Sequence, residues 1–246
     1  MKPILHIAYS SLLICSLPLF SPMCVPVQAQ EASRETPKEA YSRLAPSYHL
    51  GNKTIPEMLA ESTGDLVIHE YYPLGMEGDG PGPAYPPHAL VQMACESSAV
   101  ILGTAELGVS HPTENRRSVY TEWTFAVAKV FRNDPISPVG DGQIINVVRP
   151  GGHLVIDGRN VTVTYTNFDD FAKRGQYLLF LKRVGETGAY TVRSNRVFSI
   201  GNIDAVGHLT LNVRYPELER DTPDQLLRDT AAAVSAIQDS KECSQE

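Results

Sequence analysis

The feature that most constrains this chain is residues 118–132, SVYTEWTFAVAKVFR, where side chains alternate over a length that few strands reach. Val119, Thr121, Trp123, Phe125, Val127 and Phe131 fall on one face, with Lys129 the only charge among them. Tyr120, Glu122, Thr124, Ala126 and Ala128 fall on the other, and a period of two marks a half-buried strand. Trp123 is the only tryptophan in the chain, and beside Phe125 it supplies a large share of one core. The turn-rich NDPISPVGDG that follows ends the strand.

Other strands gather around it. Residues 98–107, SAVILGTAEL, form one whose Gly103 and Ala105 permit a sharp bend, as in small barrels. His111 to Asn115 read as a loop, residues 143–149 as a third strand, and Pro150-Gly151-Gly152 as its stop. Asp157-Gly158 between apolar runs predicts a hairpin of residues 154–156 and 161–165, with Val161, Val163 and Tyr165 inward. Residues 176–184, QYLLFLKRV, are apolar enough for a central strand, and 190–193, 196–200 and 209–214 add three short ones. Strands at this spacing with no helix between them predict an antiparallel barrel or sandwich. A short helix over 88–97 precedes the strands. An amphipathic helix from Thr222-Pro223-Asp224-Gln225 to about Ser240 follows them, with Leu226, Thr230, Ala233, Val234 and Ile237 on its buried face.

The rest of the chain bounds the setting. Lys2, the apolar run 4–20 and Val27-Gln28-Ala29 have the form of a signal peptide cleaved near Ala29, which implies export to a periplasm or to the outside of the cell. Residues 30–86 read as a polar, Pro- and Gly-rich segment with at most a short helix at 54–61, opened by a Thr54-x-x-Glu57 box, and a short strand at 65–72. Residues 30–51 read as a linker, the glycines and prolines of 75–87 mark a boundary, and residues 87–246 are the domain. Losing Lys2 leaves 20 basic against 28 acidic residues, a net charge of −8 with no basic block, which argues against nucleic acid as a partner. No stable membrane insertion is expected once the leader is gone. Cys95 and Cys243 are the cysteines that remain. In an exported chain they either pair, contributing about 4–5 kcal/mol in the chain-entropy model, or stand as two unrelated thiols.

The order ESSAVILGTAEL, the Thr-x-Phe-x-Val strand running into Lys-Val-Phe, the strand into Pro-Gly-Gly, QYLLFL and a terminal helix resembles the oligonucleotide/oligosaccharide-binding (OB) barrel of netrin-like domains and tissue inhibitors of metalloproteinases, and exported bacterial proteins of that layout. The resemblance covers roughly residues 87–238 and implies an all-β fold with flanking helices: an antiparallel OB-like Greek-key barrel with a short N-terminal helix and a C-terminal amphipathic helix. Those inhibitors use an N-terminal cysteine to chelate the target's zinc. Here Cys95 sits far inside the chain, so the fold is carried over and the inhibition is not.

Catalytic templates fail one by one. His49, His69, His88, His111, His153 and His208 form no H-x-x-x-H and no CxxC partner set, so no zinc site or other cofactor is expected. There is no G-x-S-x-G, and Gly151-Gly152-His153 lacks a phosphate-loop lysine. One loop constellation remains: His153, Asp169 and Asp170 can meet across the barrel mouth, and an imidazole with two carboxylates binds metal or moves protons. The favoured expectation is a non-catalytic exported module that contacts a protein or glycan. The alternative is a hydrolase or metal-dependent enzyme assembled from those loops.

Overall fold

The alternating stretch folds as a strand of 14 residues, Val119–Arg132, and its two neighbours are set by its own bends. A computed structural model describes residues 35–45, 52–70, 89–165, 168, 170–201, 222–239 and 243, with the backbone alone at 194 and 195. The first elements are helices α1 (Pro37–Ser42) and α2 (Ile55–Glu61), strand β1 (Leu66–Glu70) and helix α3 (Ala89–Cys95). Strands β2 (Ala99–Pro112), β3 (Val119–Arg132), β4 (Ile144–Pro150), β5 (Gly152–Ile156), β6 (Arg159–Tyr165), β7 (Gln176–Arg183) and β8 (Tyr190–Ser199) follow, and helix α4 (Pro223–Asp239) comes last. The fold is mostly β with four helices among the described residues. The leader, the boundary at 75–87 and the strand at 209–214 lie outside the described residues.

The strands make two sheets. In the larger, pairing runs β2-β3-β4-β8-β7 and returns from β7 to β2, so five strands form a ring. The smaller is β1-β6-β5. The expectation of a purely antiparallel sheet gives way at two seams: β4 pairs parallel with β8 and β1 parallel with β6. Pro150-Gly151-Gly152 does not stop the chain either. β4 ends at Pro150 and β5 begins at Gly152, turning from the ring into the second sheet. The Asp157-Gly158 hairpin forms as expected, both residues holding positive φ (51° and 75°), as a type I′ turn requires.

Irregular pairing between β2 and β3 decides what lies inside the ring. Shifts fall between Val100 and Ile101, Leu102 and Gly103, and Ala105 and Leu107. Each inserts an unpaired residue and reverses the alternation beyond it. Trp123, Phe125, Val127 and Val130 therefore share the interior, with Ile101, Val147, Leu179 and Leu181. Phe131, expected on the Trp123 face, instead packs outside against the helices with Phe180, Phe198 and Leu226. Both ends of the ring are filled. Phe171 and Tyr177 close one end beside Trp123, while Val139 and Tyr190 lie in the core at the other. There the single proton of the Tyr190 hydroxyl faces Ser137 O (3.1 Å) and Asp134 Oδ2 (3.3 Å). Burial, then the charge of Asp134, pushes that phenol up from its ordinary value.

The described parts of the N-terminal segment, residues 35–45 and 52–70, pack into this fold. Thr36 and Thr54 each open a helix with a full capping box, to Glu39 and Glu57. Ala40, Tyr41, Ile55, Leu59 and Ile68 then share one apolar cluster with Val119, Tyr120, Val148, Val161 and Val163. The described residues belong to one compact unit that begins at Glu35.

Helices α3 and α4 cover the outer face of the ring. Val100, Leu178, Phe180 and Phe198 receive Met93 and Ala94 from α3, and Leu226, Val234 and Ile237 from α4. The face of α4 read from sequence is the buried one, Thr230 and Ala233 included. Arginines of the ring take the C-terminal carbonyls of α3: Arg132 reaches Ala94 O, and Arg196 reaches Met93 O (3.2 Å) and the Glu96 carboxylate. Cys95 is bonded to Cys243, with Cα atoms 5.3 Å apart across 148 residues of sequence.

Glu96 gives this lock a pH dependence. Burial pushes its carboxyl up, but Arg196, Gln92 and Arg193 together outweigh burial and hold it below its ordinary 4.5. A carboxyl lowered in the folded state contributes stability that is complete above pH 4.5 and is lost as the pH falls through the lowered value. Glu96→Gln should therefore melt below the wild type at neutral pH, by about 1 kcal/mol or less for a half-exposed pair. The gap should narrow as the pH falls below 4.5 and the carboxyl takes up its proton. Thermal melts across that range test this, and a gap independent of pH contradicts it.

Candidate functional site

Arg149 is the one charge in the otherwise apolar end of β4, and the ring buries it there. On the same side of the strand as Val147, its guanidinium lies over the rings of Phe171 (5.3 Å) and Phe168 (5.7 Å). That is within the reach of a cation–π contact. Its Nη2 donates to Phe168 O (2.9 Å) and lies 3.5 Å from Asp170 Oδ1. A buried guanidinium needs such partners, since desolvating a charge without them is expensive.

Asp170 also reaches the other expected residue. Its Oδ2 is 3.4 Å from His153 Nε2. His153 stands on β5 opposite Thr162 of β6, and its Nδ1 meets the Thr162 hydroxyl at 2.9 Å. With its proton on Nε2 the ring accepts from the Thr162 hydroxyl at Nδ1 and turns its N–H side toward Asp170. The structure thus brings His153 and Asp170 together and adds Arg149, while Asp169 lies outside the described residues. A second pair of the same kind stands nearby on β1 and β6, His69 Nδ1 to the Thr164 hydroxyl at 2.8 Å.

A hydroxyl chain sets the position of β5. Thr121 Oγ1 donates to Gly151 O (2.6 Å), Ser110 Oγ lies 2.9 Å from Thr121 Oγ1, and His153 N donates to Ser110 Oγ (3.1 Å). Each hydroxyl has one proton and that of Thr121 goes to Gly151 O, so Ser110 donates to Thr121. Gly152 passes so close that a Cβ there would collide with both hydroxyls, and its φ of 144° is one that side chains rarely adopt.

Chemically, Thr162–His153–Asp170 is a hydroxyl–imidazole–carboxylate chain that can pass a proton. It lies on an open sheet face, where the His153 side chain is 63% exposed and that of Asp170 55%. Water there screens the charges and solvates the hydroxyl. Asp170 has its second oxygen directed at Arg149, whose stacking on Phe171 ties it to the aromatic plug of the ring. Among the described residues, no group of three or more His, Cys, Asp or Glu is placed to hold a metal ion. No protein-family model matches the chain, and no curated protein matches it.

Sequence reading missed Arg149, Thr162, Ser110 and Thr121. Arg149 had a signal, a lone charge inside the apolar VVRP, which requires a buried partner set. The hydroxyls had none, because threonine on a strand is ordinary.

If the cluster acts as a clamp, its members differ in cost. Asp170→Ala takes a carboxylate from a buried guanidinium and should cost about 1–3 kcal/mol. His153→Ala removes an exposed ring and should cost under about 0.5 kcal/mol. Urea unfolding of the two variants checks the order, and an equal or reversed cost contradicts it.

Proposed function

We propose that this chain is a non-catalytic interaction module, exported after its leader is cut near Ala29, built on an OB-like barrel of the netrin-like kind. The strand order β2-β3-β4-β8-β7, with its one parallel seam, supports the barrel reading: such a barrel closes five strands through a Greek-key path. One observation carries the functional reading. The interior and both ends of the ring are packed with side chains, and the polar cluster at one end is engaged in holding that packing. Recognition then belongs to the outside.

The outer face of β2, β3 and β4 offers an apolar surface for it. β2 pairs with β7 only from Ala99 to Thr104, and its later residues pair with β3. Leu107 (54% exposed) and Val109 project there, and Ile144 (56%) projects from β4 two strands away. Thr124 and Glu122 stand between, opposite Leu107 and Val109. An apolar patch with a polar surround fits a protein or a glycan. The net charge of −8 disfavours nucleic acid.

The Thr162–His153–Asp170 chain is the observation that favours the alternative, a hydrolase. That reading requires a turnover that His153→Ala abolishes.

Capture from the native source with the mature chain tests the module. The double variant Leu107→Asp/Val109→Asp should lose the captured partner at least tenfold, about 1.4 kcal/mol, with Trp123 emission unchanged. Recovery of no specific partner, or capture that the variant leaves intact, contradicts the proposal.

A further inference from the structure

The two outer helices are fixed to the ring by different means. α3 is bound by polar contacts from the ring: Arg132 to Ala94 O, and Arg196 to Met93 O and to Glu96. Among the described residues, side-chain hydrogen bonds of α4 run within the helix itself, Gln225 to Asp229, Arg228 to Gln225 and Ser235 to Ala231 O. Its attachment is the apolar contact of Leu226, Val234 and Ile237, together with the Cys95–Cys243 disulfide four residues beyond its end. That seat has a flaw. Thr230 is fully buried on the contact face, and its hydroxyl has no hydrogen-bond partner among the described residues. An unsatisfied buried hydroxyl opposes docking at the point where the helix is most buried.

Cys243 is exposed, so the bond that holds α4 is open to attack by a thiolate. From these observations we propose that the disulfide is a reducible latch: its reduction releases α4 and uncovers an apolar seat on an intact ring. The reductant is a dithiol. Its thiolate attacks one sulfur of the pair to give a mixed disulfide, and its second thiol displaces the protein sulfur. Two electrons and two protons pass to Cys95 and Cys243, and the dithiol leaves as a disulfide. The ring stays closed, because its pairing and the arginine contacts to α3 do not involve the cross-link. The apolar cluster that α4 shares with α3 and the ring, Met93, Phe131, Phe180 and Phe198 among its members, is then opened on the side that α4 occupied. Release is local opening at the weakly held end of one fold rather than global unfolding.

Hydrogen exchange of the full mature chain, oxidised and after dithiothreitol, tests this, with reduction verified by alkylation and mass. Amides of Pro223–Asp239 should exchange at least tenfold faster once reduced, while those of β7 keep their protection, and an apolar dye should bind only the reduced form. Reoxidation should reverse both changes, and Cys243→Ser should behave as the reduced protein does. Thr230→Val, which removes the stray hydroxyl and keeps the shape, should slow α4 exchange in the reduced state. Unchanged protection of α4 in verified reduced protein overturns the latch. So does loss of protection in α4 and β7 together, which makes the bond a global staple.

Discussion

The interior of the ring depends on how β2 and β3 fail to pair evenly. A strand of 14 residues with strict alternation would send Phe131 inward with Trp123 and Phe125. Two of the three shifts in register leave Phe131 and Ala128 unpaired and break that alternation, and the strand divides among three cores, with Val119 and Tyr120 in the third. The distal half places Trp123 and Phe125 against Phe171 and Tyr177, with edge-to-face contacts at ring separations of 4.9–6.2 Å. Each such pair contributes about 0.5–1.5 kcal/mol beyond the area it buries. The proximal half turns Phe131 to the helices, so the same strand supports the plug of the ring and the seat of α3 and α4.

The polar cluster follows from that plug. Phe171 seals the ring only if the segment that carries it is held, and Arg149 holds it by stacking on Phe171 and binding Phe168 O and Asp170. His153 joins from β5, which the Thr121–Ser110 hydroxyls hang on the ring. The small sheet, the ring and the N-terminal helices are thereby one structure, with Tyr41 edge-on to Tyr120 where they meet. A fold so consolidated has its interior committed to packing.

Much of this was legible in the residues. The Asp157-Gly158 hairpin, the α2 capping box and the buried face of α4 each rest on local chemistry and are found where they were read, and of the two states left open for Cys95 and Cys243 the bonded one is formed. Long-range partners were less legible. The parallel pairing of β1 with β6 joins residues almost a hundred positions apart, and nothing local in LVIHE encodes its partner. The fate of Phe131 depended on bulges that no glycine or proline marks at Ala128. The helix α1 was legible and missed: Thr36-Pro37-Lys38-Glu39 carries the box that identified α2, hidden in a stretch read by composition as a linker. Within the site, His153 and Asp170 were found by residue type, and Arg149 escaped because it sat in a strand.

The close contact of Trp123 with Gly108 gives the central claim its most direct test. A Cβ at position 108 would lie 2.6–2.9 Å from three atoms of the indole, so Gly108→Ala must displace the ring. Trp123 is the sole tryptophan, which makes its emission a reporter of that one place. The account predicts a red-shifted, more readily quenched emission and a loss of about 1–3 kcal/mol in stability. Emission and stability both unchanged would mean that the indole does not sit over Gly108, and that the aromatic interior described here does not exist.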